Sequence, residues 1–201
     1  MSILLAMTSM NRWAARLGAV ALAAILLAPS AGAQADRTIK VNVPPTLIGV
    51  PGVGVEWRHD DKRTRQVDAT ISPWITRDGA PAFFVLLVGE QRYFPKGAGQ
   101  GWYFGLNGGL SVFRFQKWSF FDRTWYQEGF GFVAGGVIGY EHELNERWIL
   151  DLSAGGGTSQ ALYKGYDYAT GERNDGAKLW NPSGELLPYR LGVTLGYRLG
   201  R

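Results

Sequence analysis

The chain has 201 residues, which is enough for one domain of ordinary size. Charged residues make up only 19% of it, and the formal net charge of +4 falls to +2 once the predicted signal peptide described below is removed, which is too balanced to indicate a nucleic-acid partner. It contains no cysteine, so disulfide bonds are excluded and stability must come from packing or from a closed hydrogen-bond ladder.

The first residues have the features of a secretory signal peptide. Two arginines precede an apolar run over residues 17–27, and an A-x-A cleavage site ends at Ala35. The apolar run is shorter than the roughly 20 residues that a membrane-spanning helix needs. We therefore predict a cleaved signal over residues 1–35 and one mature domain over residues 36–201. Cleavage removes the two arginines and no acidic residue, so the net charge falls to +2.

Eight segments of the mature chain alternate between apolar and polar residues, the period-two pattern of β-strands with two unlike faces. Their predicted bounds are 39–43, 53–59, 66–75, 82–94, 102–115, 129–144, 147–163 and 189–199. In the last one, every second residue from Tyr189 to Leu199 is apolar or aromatic, and Arg190 and Arg198 lie on the opposite face. With no helical pattern between them, these segments predict an all-β protein, an eight-stranded antiparallel up-and-down barrel.

The links between the predicted strands differ in length. Those after the second, fourth and sixth strands are short, whereas those after the fifth and seventh, at 116–128 and 164–186, are long. Outer-membrane barrels have short periplasmic turns and longer outer loops, and they carry aromatic residues at both membrane interfaces. The pattern therefore predicts a transmembrane barrel with both termini on the periplasmic side.

Alternation alone does not say which face lines the interior. A secreted lipocalin-like barrel would place the apolar face inside, around a ligand, and this remains an alternative. Two features favour the opposite arrangement: glycine crowds the polar face, as a narrow interior requires, and that face carries charges of both signs, which persist there only as ion pairs. The predicted interior ion-pair residues are Lys40, Glu56, Arg58, Asp68, Glu90, Arg92, Glu141, Asp151, Arg190 and Arg198. We therefore expect a plugged lumen and not a wide pore.

One predicted outer loop, at 117–126, is rich in aromatic residues. Exposed apolar clusters often mark contact sites, and the contact candidates here are Trp118, Phe120, Phe121, Trp125 and Tyr126. The other interpretation is that these residues continue the fifth and sixth strands and thicken the outer aromatic girdle, because Trp and Tyr favour interfaces. No surface ligand can be named from either interpretation.

The end of the chain resembles the C-terminal recognition signal of outer-membrane proteins. A polar residue at Arg190 is followed by Gly192, the hydrophobic Leu195 and the aromatic Tyr197 at the usual spacing, although Arg201 stands where a terminal Phe is usual. The resemblance implies that the barrel-assembly machinery is a partner during insertion.

The mature chain as a whole resembles the small eight-stranded OmpA/OmpX-like barrels, and among them an uncharacterised family of Gram-negative envelope proteins of unknown function. The segments that carry the resemblance are Lys40-Val41-Asn42, Gly54-Val55-Glu56-Trp57-Arg58, Gln91-Arg92-Tyr93-Phe94, Gly136-Val137-Ile138-Gly139-Tyr140-Glu141 and Leu195-Gly196-Tyr197-Arg198. It implies an integral protein of the Gram-negative outer membrane, in contact with membrane lipid, with a structural or surface-recognition role.

Candidates for catalysis are few. Some barrels of this fold modify lipid A with a histidine near the outer leaflet, which makes such an enzyme the leading alternative. The two histidines, His59 and His142, fall instead at the predicted periplasmic end, and no residue spacing supplies either with a partner for general-base work. We expect no enzymatic activity and predict no catalytic, metal or cofactor site.

Overall fold

Eight antiparallel strands close into a barrel in the computed structural model of the chain. Each strand pairs with its neighbour in sequence, and β8 returns to pair with β1, as in an up-and-down barrel. The strands are β1 (Arg37–Asn42), β2 (Gly52–Arg58), β3 (Arg63–Ile75), β4 (Pro81–Tyr93), β5 (Gly101–Phe115), β6 (Trp125–Glu143), β7 (Trp148–Asp167) and β8 (Glu185–Leu199). The all-β prediction and the count of eight strands are confirmed.

The structure describes residues 37–75, 81–116, 124–173 and 185–199. The predicted signal peptide lies outside these described residues. A short helix, α1 (Val43–Leu47), follows β1 and was not expected from the sequence. Its prolines lie in the first turn, where backbone N–H groups have no acceptor within the helix. The N–H that proline lacks therefore costs no intrahelical hydrogen bond. Within the described ranges, no helix has the length and apolar character needed to cross a bilayer.

The two ends of the barrel differ. We call one the turn end, because short links and both ends of the described barrel meet there, and the other the loop end. The turn-end links are residues 59–62, 94–100 and 144–147, and the loop-end links are residues 43–51, 76–80, 116–124 and 168–184. Strands β6 and β7 extend further towards the loop end than predicted, since Trp125 pairs with Asp167. Part of each predicted outer loop is therefore strand.

Short side chains close two of the turn-end links. Asp60 Oδ1 accepts a hydrogen bond of 2.9 Å from the N–H of Lys62, and this bond holds the pKa of the carboxyl below its ordinary value. Asn145 Oδ1 accepts bonds of 2.9 Å from the N–H groups of Arg147 and Trp148. Asp and Asn suit such turns because their side chains bond to the backbone two residues on.

The faces of the barrel have opposite character. Leu191, Val193 and Leu195 lie on the outside, where 58%, 42% and 36% of their surfaces are exposed. Lys40 and Asp151 on the inside are 2% and 1% exposed. This distribution is the reverse of a lipocalin-like interior.

A bulge in β8 changes the face of the barrel wall on which one side chain lies. Gly155 pairs with Arg190 but Gly157 pairs with Leu187, so β8 contains one residue more than β7 over this stretch. Tyr189 consequently points inward, and its Oη donates a hydrogen bond of 2.6 Å to Asn107 Oδ1. Strict alternation predicts that Tyr189 lies on the apolar face, and this prediction is wrong because alternation fails at a bulge.

Glycines make room for the large interior side chains. Lys40 has glycines as register partners on both sides, Gly54 on β2 and Gly196 on β8. A Cβ atom on Gly196 would lie 2.8 Å from Thr38 Cγ2 and 3.4 Å from Lys40 Cγ. The narrow interior therefore accepts a long charged side chain only where its neighbours have none.

Candidate functional site: a charge network inside the barrel

Lys40 on β1 is the centre of a buried charge network. Its Nζ contacts the carboxylates of Glu56 on β2 and Glu141 on β6, and it lies 2.9 Å from Asp151 Oδ2 on β7. Glu141 and Asp151 are themselves register partners on adjacent strands. Two like charges directly opposite each other repel, and the shared cation between them offsets this repulsion.

Arg92 on β4 reaches the same carboxylates from the other side of the interior. Its Nη1 lies 2.9 Å from Glu141 Oε1 and 2.8 Å from Asp151 Oδ2, and its Nε donates to Glu90 Oε1 at 2.6 Å. Charge-assisted bonds of this kind are about twice as strong as neutral ones, and the planar guanidinium can serve several acceptors at once. Lys40 and Arg92 together join strands on opposite sides of the barrel.

Tyr103 on β5 supports this group from the turn end. Its ring lies under the Arg92 guanidinium, with 4.4 Å between Cζ and the ring centroid, and its Oη donates to Asp151 Oδ1 at 2.9 Å. The ring also packs on Phe94, with 5.1 Å between centroids, and both side chains are fully buried. Phe94, Tyr103 and Val137 form a buried apolar cluster, which meets the charge network through the Tyr103 ring.

A second group of charges continues the network towards the loop end. Arg190 on β8 lies 2.7 Å from Asp68 Oδ1 and 2.8 Å from Glu90 Oε2. Glu90 therefore bonds to Arg92 with one oxygen and to Arg190 with the other, which joins the two groups. Asn107 adds a bond of 3.4 Å to Glu90 Oε2. The network contains five carboxylates and three cations, so each cation serves more than one acid.

The structure places eight of the ten predicted interior residues in this network and two at the turn end. Arg58 is exposed and donates a bond of 3.5 Å to the Ala98 carbonyl. Arg198 contacts Glu143, and 18% of its side chain is exposed. Both arginines occupy inward-facing positions in the alternation of their strands. They lie at the strand ends, however, where the interior opens to solvent.

The sequence analysis missed several uncharged members of the site. They are Thr64, Gln66, Tyr103, Asn107 and Tyr189. Tyr103 could have been found, because it alternates with Gly105 and Asn107 on the inward face of β5. Tyr189 could not, because nothing in the local pattern reveals the bulge.

A small cavity of about 50 Å³ adjoins the network on its loop-end side. Its lining includes Asn42, Gln66, Asp68, Tyr189, Arg190 and Thr194. Within the described residues, Asn42 Oδ1 and Gln66 Oε1 are buried without a hydrogen-bond partner. This volume accepts only one or two water-sized molecules, because a water occupies about 30 Å³ in the liquid. It is too small for an organic ligand.

The predicted outer-loop contact residues are only partly described. Trp125 is exposed at the start of β6, whereas Tyr126 is buried. Tyr126 stacks on Tyr166 with 5.3 Å between centroids and accepts a bond of 3.0 Å from Arg114 Nη2, which leaves little of its surface for a partner. Trp118, Phe120 and Phe121 lie outside the described residues.

The histidines lie at the turn end and are exposed. His59 Nε2 lies 3.3 Å from Arg65 Nη2, and His142 faces outward near the end of β6. In the described parts of the strands and links, no group of three or more His, Asp or Glu residues is arranged to hold a metal ion.

A family model described as "Protein of unknown function (DUF3575)" matches residues 19–199, which is most of the chain. A search of curated proteins found no match.

Proposed function

Since the chain belongs to the DUF3575 family, whose function is unknown, we propose a role from the barrel itself: an integral protein of the Gram-negative outer membrane with a lumen plugged by side chains. The observation that supports the proposal best is the reversed distribution of polarity. Large apolar side chains stand on the outer wall, and the charges are enclosed. A bilayer is the solvent in which this distribution is stable.

The outer wall is costly to keep in water. Four large side chains on neighbouring strands each have more than half of their surface exposed: Phe104, Leu106, Leu110 and Phe130. Each Å² of apolar surface left in water costs about 25 cal/mol, and soluble monomers rarely expose contiguous apolar patches above a few hundred Å². Hydrocarbon removes this cost, and the closed ladder leaves no strand edge to be solvated.

Aromatic pairs at the turn end fit a membrane interface. Trp102 packs edge-on against Tyr140 with 5.4 Å between centroids, and Trp148 packs in the same way against Tyr197 at 5.1 Å. Trp and Tyr concentrate where hydrocarbon meets headgroups, because their rings are apolar and their N–H and O–H groups are polar. These pairs support the proposal that one membrane interface lies at the turn end.

The charge network opposes the opening of a wide pore, because opening has a high energetic cost. An open channel would require the contacts of Lys40 and Arg92 to separate, which leaves several carboxylates without a cation in a confined interior. We therefore assign the protein a structural or surface-recognition role and no transport of large solutes. The loop end is the surface on which recognition would occur.

Cell fractionation tests the proposal directly. Expressed with its own N-terminus in a Gram-negative host, the protein should remain in the outer-membrane fraction after alkaline carbonate and urea washes. It should also migrate faster in an SDS gel when unheated, as closed barrels do. In a planar bilayer it should give no large, stable conductance. Release by the washes would refute membrane integration, and a stable open channel would refute the plugged lumen.

A further inference from the structure

Arginine and tryptophan side chains form a row on the outer wall at the turn end. Trp57 on β2 has Arg37 on β1 and Arg65 on β3 as its register partners, so the three residues are neighbours on one face. Both arginines are exposed, and Trp57 is half-buried between them. We call these three residues the arginine row.

The row continues into an apolar groove. Arg65 pairs with Gln91 on β4, and Gln91 pairs with Leu106 on β5. Gln91 and Leu106 line a groove of about 480 Å³ on the outer wall, together with Tyr93 and Phe104. One line of register partners therefore passes from a tryptophan flanked by two cations, through an amide, to an apolar groove.

This line is inclined to the plane of the rim. Arg37 is the first residue of β1 at the turn end, whereas Leu106 lies five residues beyond the start of β5. Strands in such barrels tilt by about 35–45° from the barrel axis, so a row of partners perpendicular to the strands runs from the rim into the wall. The charged end of the row is at the rim and its apolar end is deeper.

Among the described residues outside the charge network, the excess of positive charge lies at this end. Basic residues at the turn end are Arg37, Arg58, Lys62, Arg63, Arg65, Lys96, Arg147 and Arg198. Acidic residues there are Asp60, Asp61, Glu143 and Glu146. At the loop end, the described basic residues are Arg114, Lys164 and Arg173, and the described acidic residues are Glu128, Asp167, Glu172 and Glu185. The described charges therefore attract an anionic partner to the turn end.

We propose that the arginine row and the adjoining groove bind one anionic phospholipid from the leaflet around the turn end. Guanidinium groups bind phosphate oxygens with paired hydrogen bonds, and two of them flank the position of the headgroup. Trp57 lies at headgroup level, Gln91 offers an amide to the glycerol part, and the groove takes an acyl chain. The inference rests on the proposed membrane location and adds to it a preferred lipid.

Native mass spectrometry of the detergent-solubilised protein tests the site. Phosphatidylglycerol should bind more tightly than phosphatidylcholine with the same chains, and the Arg37→Gln/Arg65→Gln double variant should lose about tenfold in affinity for the anionic lipid. The control is Lys62→Gln/Lys96→Gln, which removes the same charge from the same end of the barrel but lies off the row. It should keep the preference.

Three outcomes would overturn the inference. The first is equal binding of the two lipids, and the second is an equal loss in both double variants. The third is binding of glycerol phosphate, which has no chains, as tightly as the lipid, because that indicates an anion site alone. Unheated gel migration reports whether each variant is folded. A protein that remains in washed membranes but shows no lipid preference contradicts this inference only, whereas a protein released by washing contradicts the proposed function.

Discussion

Tyr103 on β5 and Gly139 on β6 are register partners, and the Tyr103 ring occupies the space in which a side chain at position 139 would stand. A Cβ atom on Gly139 would lie 2.4 Å from the ring. The position of this ring matters because Tyr103 bonds to Asp151 and lies against Arg92. The absence of a side chain at Gly139 therefore allows the Tyr103 ring to pack against the charge network.

Gly139→Ala should destabilise the barrel by about 1–3 kcal/mol, because the added methyl group displaces the Tyr103 ring. Gly108→Ala is a matched control on β5: its Cβ would meet only the Val133 carbonyl, at the ordinary distance of 3.6 Å. Urea unfolding in lipid vesicles, followed by tryptophan fluorescence, measures both. Equal unfolding midpoints for the two variants would show that the Tyr103 ring does not need the space left by Gly139.

Tyr103→Phe should cost about 1.5–3 kcal/mol, the usual contribution of a hydrogen bond to a charged group. The ring packing against Gly139 and Phe94 is retained, so the variant isolates the bond from Oη to Asp151. The same unfolding assay applies. A variant as stable as the wild type would indicate that Asp151 is satisfied by its cations alone.

Lys40→Met should be among the most damaging single substitutions, at about 3–5 kcal/mol, because it removes the cation shared by three buried carboxylates. The exposed Lys62→Met is its control and should change stability by less than about 0.5 kcal/mol. The yield of heat-modifiable barrel after refolding provides a second measurement. Similar behaviour of the two variants would contradict the central place of Lys40 in the network.

Leu106→Arg distinguishes a lipid-facing wall from a water-facing one. In hydrocarbon, the charge should cost about 2–4 kcal/mol near the midplane and less near an interface. In water it should be nearly neutral, since 76% of the side chain is exposed. Leu47→Arg, on helix α1 beyond the strands, should be tolerated in either case. Insertion into vesicles measures the difference, and equal tolerance would count against a lipid-facing β5.

Asp60 gives a prediction for acid conditions. Its folded pKa lies below its ordinary value of 3.8, chiefly because the Lys62 N–H donates to the carboxylate. The stabilisation of the turn is fully present above 3.8 and is lost as the pH falls through the lowered pKa, when the carboxylate takes up a proton. A ¹³C titration of the Asp60 carboxyl should give a midpoint below 3.8. A midpoint at or above 3.8 would contradict the hydrogen bond.

The local sequence pattern was sufficient to predict the strands and, for most residues, the face of the barrel wall on which the side chain lies. Successive Cβ atoms of a strand point to opposite sides, so Leu191, Val193 and Leu195 had to share a face that excludes Arg190. The same rule selected Lys40, Glu56, Arg92, Glu141 and Asp151 as residues of one face, and charges of both signs on a narrow face predicted ion pairs. None of this requires knowledge of contacts between distant segments.

The pairing of those charges was decided by the closed barrel. Lys40 meets Glu141, 101 residues away, only because β8 closes on β1 and the interior is narrow enough for opposite walls to touch. Tyr189 faces inward only because β8 has an extra residue opposite β7. Alternation is a property of each strand alone and can be taken from the sequence. Register, bulges and contacts across the interior depend on how all eight strands fit one circumference, and only the tertiary structure supplies that constraint.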